Sequence, residues 1–461
     1  MIILPEDVKA IIKKLKDNHF DAYVVGGCVR DSLLGISPKD WDVCTSALPE
    51  EIERVFAEEK IIETGIKHGT VTVMINGVGY EITTFRSDGE YSDHRRPDHV
   101  DFVSDIKEDL ARRDFTVNAM AYNDEEGLID PFSGQSDLKA GVIRCVGDPN
   151  VRFEEDALRI MRALRFSSVY GFSIEKNTAK AMRYKKLLLN DIASERIRDE
   201  LCKMLAGKNI LFILTVFQEI VSVIIPEIIP CVGFVQNNKY HAYTVYGHIA
   251  HAVANYTGDN SVLNMALLLH DIGKPFSYFT DENGIGHFYG HAEPSAEITA
   301  KVVNRLRFDR KSQDQIILLV KIHDEQFEAT KKNVRKWLNR LGPEMIFLFI
   351  EMKRADMLAH AAGTQTERLK KLDEFQKIAE EEIAKMSCFS LKDLAVSGKD
   401  LIGIGVPEGK EIGMLLNIVL DLVMQEKLKN DKEEILTYIN INKNHINHLK
   451  EAFANAGTVI P

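Results

Sequence analysis

The fold is decided by the stretch AYVVGGCVRDSLLG, residues 22–35. An apolar run over residues 22–25 enters a Gly-Gly turn, and Arg30 and Asp31 then open a segment that ends at Gly35. This order predicts a strand, a tight turn and a short helix. The two glycines let the backbone approach a phosphate closely, while the neighbouring amides and Arg30 offer hydrogen-bond donors to it.

Two aspartates follow this unit. The segment KDWDV, residues 39–43, places Asp40 and Asp42 two positions apart, so that on a strand both carboxylates point from one face. Such a pair repels unless a divalent cation lies between the two groups, and oxygen ligands suit Mg²⁺. An isolated Asp-x-Asp is more often a solvated turn, but the upstream glycines favour a metal site. Glu81 is either a third carboxylate or a solvent-facing residue on an edge strand.

Arginines recur after the predicted sheet. Arg112, Arg113 and Asp114 precede an apolar helical run and can grip a phosphate and a ribose hydroxyl together, although such residues alone more often form a surface ion pair. In RFEEDALRIMRALRF, polar residues recur at every third position: Asp156, Arg159, Arg162 and Arg165. An acid and an arginine on successive turns offer an acceptor and a donor to a base edge. Ion pairing on an exposed helix is the plainer alternative.

The chain resembles the bacterial tRNA nucleotidyltransferases, the CCA-adding enzymes of class II, which belong with the polymerase-beta-like nucleotidyltransferases and have bacterial poly(A) polymerases as close relatives. Seven motifs carry the resemblance in order: GGCVRDSLLG, KDWDV, TFRSDGEYSDHRRP, RRDFTVNAMAY, DPFSGQSDL, RFEEDALRIMRALRF and SERIRDEL. They cover residues 20 to about 210. A looser similarity near the C-terminus, LAVSGKDLIGIGVPEGKEIG, resembles the tail that holds the tRNA body.

The resemblance implies a function for each of these residues. Asp40 and Asp42 would bind Mg²⁺, and Asp156 with Arg159 would serve as the amino-acid template that selects C or A. Nucleotide binding would involve Gly27, Arg30, Arg112, Arg113, Asp114, Asp156, Arg159, Arg162 and Arg165. Residues 86–98 resemble the loop required for switching from C to A addition, which favours a full CCA enzyme. The tRNA 3′-hydroxyl would attack the α-phosphate of CTP or ATP and release pyrophosphate.

Most histidines lie between residues 240 and 360. Imidazole and carboxylate ligands suit Mn, Fe, Ni or Zn more than Mg, and an adjacent His-Asp at a helix end can give both ligands to one ion. The pattern resembles the HD family of phosphohydrolases, whose ligand positions would be His248, His270, Asp271 and Asp356. It implies hydrolysis of phosphate esters by a metal-activated water. The alternative is a helical spacer, and His291 and His323 have no assigned role.

Composition restricts the class of protein. The chain has 461 residues, of which 45% are hydrophobic and 28% charged, so more than one folded domain is expected. No apolar run reaches the roughly 20 residues of a membrane-spanning helix, and we expect a cytoplasmic protein without a signal peptide. Six scattered cysteines argue against a disulfide framework. Because the net charge is −11, basic residues that grip RNA must be concentrated locally.

We therefore predict an α+β fold, with a small mixed β-sheet head followed by an all-helical body that contains an HD-type helical domain. Changes in sequence texture divide the chain into a nucleotidyltransferase head at 1–150, a helical nucleotide-selecting and RNA-binding region at 151–235, an HD-type metal-binding domain at 236–365 and a helical tRNA-binding tail at 366–461.

The expected partners are tRNA, CTP and ATP, and the expected metals are Mg²⁺ in the head and a transition metal (Mn, Ni, Fe or Zn) in the HD site. A poly(A) polymerase or an enzyme that adds only CC or only A remains an alternative. So does an HD phosphohydrolase whose head senses nucleotides, although a pure sensor has no need of two catalytic carboxylates. A non-catalytic RNA-binding protein fits less well, and the sequence leaves the oligomeric state open.

Overall fold

The computed structural model contains two compact units, residues 1–320 and residues 321–461. It describes residues 2–66, 69–89, 99–237, 242–361, 363, 365–385 and 388–441. Most of the loop at 86–98, for which the resemblance implies a function in switching from C to A addition, lies outside these residues, as does the end of the predicted tail. Within the described ranges, no helix is both long and apolar enough to span a membrane.

The N-terminal part of the first unit is a mixed sheet, as predicted. Its strands are β1 (Ala22–Val25), β2 (Val43–Thr45), β3 (Lys60–Gly65), β4 (Thr70–Ile75), β5 (Val78–Thr84), β6 (Arg86–Asp88), β7 (Val100–Phe102), β8 (Ala121–Asn123) and β9 (Gly127–Ile129). Seven of them form one sheet in the order β3-β4-β5-β2-β1-β8-β9, while β6 and β7 pair separately. The sheet is mixed because β2 runs parallel to β5 and antiparallel to β1.

Five helices accompany these strands: α1 (Glu6–Asp17), α2 (Gly27–Leu33), α3 (Pro49–Val55), α4 (Ile106–Ala111) and α5 (Gly134–Ala140). All four residues of β1 are buried, and Val24 is fully inaccessible. A short apolar run of this kind is typical of an inner strand. The buried strand therefore holds the glycine turn, which follows its C-terminal end, in a fixed position relative to the sheet.

The rest of the first unit is mainly helical. Its helices are α6 (Pro149–Glu155), α7 (Leu158–Tyr170), α8 (Lys176–Lys185), α9 (Ser194–Leu205), α10 (Ile210–Val216), α11 (Gln218–Ile224), α12 (Val245–Asn255), α13 (Ser261–Leu269), α14 (Ala292–Arg305) and α15 (Arg310–Ile322). Short strands interrupt them: β10 (Val142–Ile143) pairs with β11 (Ser173–Ile174), and β12 (Phe279–Thr280) pairs with β13 (Gly286–His287). The body is thus helical apart from these short strands.

The second unit contains α16 (Lys331–Leu358), α17 (Thr366–Ala384), α18 (Gly398–Gly403), α19 (Lys410–Met424) and α20 (Lys432–Ile441). Helix α16 is kinked at Gly342, whose φ of 74° departs from the helical region just before Pro343. Arg335 joins α16 to α17 through a buried contact of 2.5 Å with Glu382.

Candidate active site

An acidic edge, formed by Asp40, Asp42 and Glu81, lies beside the start of β2. Strand β2 begins at Val43, so the two aspartates precede the strand rather than lying on it, although the Val25 amide still donates to the Asp42 carbonyl over 3.1 Å. Strand β5 lies between β4 and β2, and its parallel pairing with β2 places Glu81 next to Asp42. The placement of Glu81 on an edge strand is therefore wrong, although the residue is exposed to solvent, as that alternative expected.

The acidic edge carries negative charge that Arg113 compensates only in part. Desolvation raises the pKa of Asp42, and the charges of Glu81 and Asp40 raise it further, while Arg113 acts in the opposite direction. Neighbouring carboxylates that disfavour one another's ionisation are stabilised by a divalent cation, whose charge exceeds that of any side chain nearby. The residues at this edge therefore fit Mg²⁺.

The glycine turn packs against one of the predicted arginines. Gly26 has a φ of 76°, in the left-handed region, and a Cβ atom added there would lie 2.8 Å from Nη1 of Arg113. Gly27, the predicted nucleotide contact, follows as the first residue of α2. The first glycine is thus required both by the turn and by the approach of Arg113, which brings that guanidinium to the acidic edge.

Arg30 is held between the head and α7. Its Nη1 donates to Oδ1 of Asn118 over 2.5 Å, and its Nε donates to Asp31 over 2.9 Å. The guanidinium lies 5.0 Å from the ring centroid of Phe166 and 4.8 Å from that of Tyr170, within cation–π distance of both. Arg30 is therefore oriented before any substrate binds.

Asp114 continues this network to α7. Its Oδ1 accepts a hydrogen bond from the Asn118 amide over 2.9 Å, and its Oδ2 lies 2.6 Å from Nη2 of Arg162. Burial alone would raise the pKa of Asp114, but Arg162 and Asn118 outweigh it and hold the pKa at about 2. Arg165 forms an ion pair with Glu200 over 3.0 Å. Asn118 and the shared ring of Phe166 were not among the predicted site residues.

The paired arginines contact an acid that the sequence had not singled out. Asp109 on α4 is fully buried and lies 2.8 Å from Nη2 of Arg112 and 3.0 Å from Nη2 of Arg113. Desolvation alone would raise the pKa of Asp109, yet the two arginines lower it below its usual value. The sequence EDLARRD contained a signal for this contact, because Asp109 precedes Arg112 by three positions and Arg113 by four, and side chains at these spacings meet on a helix. Asp114, which the alternative of a surface ion pair grouped with these arginines, binds Arg162 instead.

The predicted template pair does not lie on one helix. Helix α6 ends at Glu155, Asp156 is extended, and α7 begins at Leu158. Asp156 Oδ1 accepts a hydrogen bond from the Leu158 amide over 3.1 Å, and this local bond competes with continuation of the helix. The predicted row of polar residues at every third position of one helix therefore includes the three arginines of α7 but not Asp156.

Both members of the template pair make contacts within the protein. Asp156 Oδ2 lies 3.3 Å from Nη2 of Arg196. Arg159 Nη1 donates to Glu155 over 2.7 Å, and its Nη2 donates to the carbonyl of Arg112 over 3.1 Å. A base read by these two side chains must replace part of this network, so recognition requires an exchange of hydrogen bonds.

A buried histidine cluster, formed by His248, His270 and Asp271, lies elsewhere in the first unit. Nε2 of His248 and Nε2 of His270 are 3.3 Å apart, and each lies 3.3 Å from Oδ2 of Asp271. Nζ of Lys274 lies 2.7 Å from the same oxygen, and Nε2 of His291 lies 3.1 Å from Oδ1. Three predicted ligands thus come together, accompanied by two basic residues.

The hydrogen bonds of this cluster orient its nitrogen atoms. Nδ1 of His270 lies 2.8 Å from the carbonyl of Leu267, which can only accept, so Nδ1 carries the proton and a neutral ring presents the Nε2 lone pair to the cluster. A hydrogen bond from the other ring nitrogen to a backbone carbonyl is typical of metal-binding histidines. The fourth predicted ligand, Asp356, lies on α16 in the second unit, and its part in the cluster stays a prediction.

Family models match most of the chain. Residues 22–144 match "Poly A polymerase head domain", residues 171–228 match "Probable RNA and SrmB-binding site of polymerase A", and residues 285–439 match "tRNA nucleotidyltransferase domain 2". The first match contains the acidic edge and the glycine turn. The second begins just after α7.

Curated relatives and a solved structure extend the similarity. The CCA-adding enzyme of Lactobacillus helveticus is 34% identical over 429 residues, which are 93% of this chain and 95% of that protein. That of Ligilactobacillus salivarius is 50% identical over 209 residues, but the match spans 45% of this chain and only 51% of the relative. The Bacillus stearothermophilus CCA-adding enzyme in complex with CTP has a TM-score of 0.72 and 28% identity, covering 97% of this chain and 100% of its own.

Proposed function

The chain belongs to the CCA-adding enzymes, and from this premise we propose that it adds C, C and A to the 3′ end of tRNA from CTP and ATP without a nucleic-acid template. The observation that carries the proposal is the acidic edge, where the pairing of β2 with β5 places Glu81 next to Asp42 beside the Gly26 turn, and where desolvation, Glu81 and Asp40 raise the pKa of Asp42. Mg²⁺ held by Asp40 and Asp42 would activate the attacking 3′-hydroxyl and neutralise the leaving pyrophosphate.

The protein's own residues orient the nucleotide. Arg113, which lies at both the glycine turn and the acidic edge, meets the phosphates. Arg30 is held by Asn118 and Arg162 is held by Asp114, so these side chains between the head and α7 are oriented before substrate binds and lose little conformational entropy when it does. Arg112, Arg165 and Gly27 complete the nucleotide-binding site. Asp156 and Arg159 select the base after their present contacts are exchanged for its edge.

The four segments inferred from sequence divide this work. We propose that residues 1–150 carry the chemistry, 151–235 select the nucleotide and hold RNA, 236–365 bind a metal, and 366–461 hold the tRNA body. Since the substrate is tRNA, we infer that the protein acts in the cytoplasm.

The first test is extension of a tRNA that lacks its 3′ CCA, with Mg²⁺ and with CTP or ATP alone or together, read at single-nucleotide resolution. We expect three added nucleotides and a requirement for both triphosphates. A long ladder with ATP alone would show a poly(A) polymerase. A stop after CC, or a requirement for a CC end, would show a partial enzyme. No extension at all would overturn the assignment.

A second candidate function rests on the histidine cluster. We propose that His248, His270 and Asp271 bind a transition metal such as Mn²⁺ or Ni²⁺, because two imidazole nitrogens and a carboxylate oxygen converge within 3.3 Å. The metal would supply an activated water for phosphate-ester hydrolysis. Lys274 would hold the phosphate, since its ammonium lies 2.7 Å from Asp271 in a buried position.

Metal binding is testable without any assay of hydrolysis. Calorimetric titration with Ni²⁺ or Mn²⁺ is expected to show a site whose affinity falls about a hundredfold or more in His270→Gln. The matched control is His251→Gln, which changes a histidine on α12 that stacks on Tyr243 rather than joining the cluster. Equal affinities in the two variants would overturn the metal site. Failure of metal-loaded protein to hydrolyse phosphomonoesters, cyclic phosphates and phosphodiesters would overturn the hydrolase alone.

A further inference from the structure

A group of aromatic rings lies exposed on the β12–β13 hairpin. The ring of His287 stacks on that of Phe279 at 5.3 Å and on that of Tyr289 at 5.2 Å, with interplanar angles of 27° and 22°. Tyr289 is 74% exposed and Phe279 is 47% exposed. Aromatic residues usually bury most of their surface, so two exposed rings that pack on the partly buried ring of His287 mark a binding surface.

The fold holds these rings in place. Phe279 and His287 are directly paired across the hairpin, where cross-strand side chains meet. The edge of the His287 ring is fixed by Asp281, whose Oδ2 lies 2.9 Å from Nε2, so His287 supports Phe279 and Tyr289, whose exposed surfaces remain available for stacking. Such a pre-oriented surface binds a flat ligand with little loss of conformational entropy.

The same hairpin connects directly to the histidine cluster. Phe288, which follows the end of β13, is buried, whereas the next residue, Tyr289, is exposed. Nζ of Lys274 lies 5.4 Å from the ring centroid of Phe288, and the Phe288 carbonyl lies 2.9 Å from Nδ1 of His291. One residue thus separates the exposed rings from the buried groups around Asp271.

We propose that Phe279, His287 and Tyr289 form a stacking platform for a nucleobase, and that the phosphate of the same nucleotide reaches Lys274 and the histidine cluster. The phosphate end rests on the proposed metal site, whereas the base end rests on the rings alone. Flat rings suit a base because every base has a π-face. Three rings offer far less area than the roughly 800 Å² that each partner contributes to a stable protein interface, so a nucleotide fits better than a protein.

The test is a fluorescence titration of the full-length chain with 2-aminopurine riboside 3′-monophosphate, whose emission is quenched by stacking. No divalent metal is added, and the quenching that persists in Tyr289→Ala measures binding of the probe outside the rings. We expect quenching with the wild-type protein, about a tenfold weaker dissociation constant in Tyr289→Ala, and a near-normal constant in Tyr289→Phe, which keeps the ring. Phe279→Ala should weaken binding to a similar extent.

The matched control is Phe276→Ala, which removes a 63% exposed aromatic ring from the same segment but outside the platform. It should bind like the wild type. Unchanged quenching in both Tyr289→Ala and Phe279→Ala, or equal weakening in Phe276→Ala, would overturn the platform. Extension of tRNA by the wild-type protein is measured in parallel, so quenching without extension would overturn the proposed transferase, and extension without ring-dependent quenching would overturn the platform.

Discussion

Asp42→Asn is expected to lower the rate of nucleotide addition by about a thousandfold or more, because it removes a carboxylate oxygen of the proposed Mg²⁺ site, and such a metal ion contributes several kcal/mol to the transition state. The same change should leave the protein at least as stable as the wild type. In the folded protein the pKa of Asp42 is raised by desolvation and by Glu81 and Asp40, so its ionised form opposes folding at neutral pH. Single-turnover extension and thermal unfolding measure the two effects.

The sign of the stability effect also follows from the raised pKa. The destabilisation by Asp42 develops as the pH rises through the carboxyl's unfolded pKa, and it is complete above the folded one. The advantage of Asp42→Asn should therefore be present at neutral pH and disappear in acid. The matched control is Asp17→Asn, which removes an exposed carboxylate from the end of α1 and should affect neither property. A fully active Asp42→Asn protein would remove Asp42 from the catalytic site.

Glycine turns and residue spacing made the head predictable because the determining interactions are local. The strand, the Gly-Gly turn and the helix follow one another within residues 22–35, and the two aspartates stand a few positions later. The partners of the predicted arginines were not predictable in this way. Arg30 donates to Asn118, 88 positions away, and Asp114 binds Arg162, 48 positions away, and both pairs exist only after the sheet and α7 have packed.

One local inference failed for a different reason. The helical period continues without interruption from α6 into α7, and neither Gly nor Pro marks the break at Asp156. A single hydrogen bond from the Leu158 amide to the Asp156 side chain decides the boundary. The histidine cluster shows a similar limit. The adjacent His270 and Asp271 were evident from sequence, whereas the approach of Lys274 and His291 to Asp271 depends on the fold.

Asp109→Ala is expected to lower the free energy of unfolding at neutral pH by about 3 kcal/mol, because it leaves two largely buried guanidinium groups without their shared partner. The matched control is Glu325→Ala, which breaks an exposed pair with Arg340 and should lower it by at most about 1 kcal/mol. Chemical denaturation of both variants measures the difference. Equal losses would show that the buried contacts of Asp109 contribute no more than a surface ion pair.

The same substitution should reach the active site through both arginines. Arg113 would lose the carboxylate that holds its side chain beside Gly26. Arg112, whose backbone carbonyl accepts a hydrogen bond from Arg159, would lose the same partner. We therefore expect weaker CTP binding and poorer discrimination between bases in Asp109→Ala.

The stability effect of Asp109 also depends on pH. Since the arginines lower the pKa of Asp109 in the folded protein, its contribution to stability is present above the unfolded pKa and is lost as the pH falls through the folded pKa. The stability difference between wild type and variant should thus shrink below about pH 4, and a difference that persists in acid would assign the loss to packing rather than to charge.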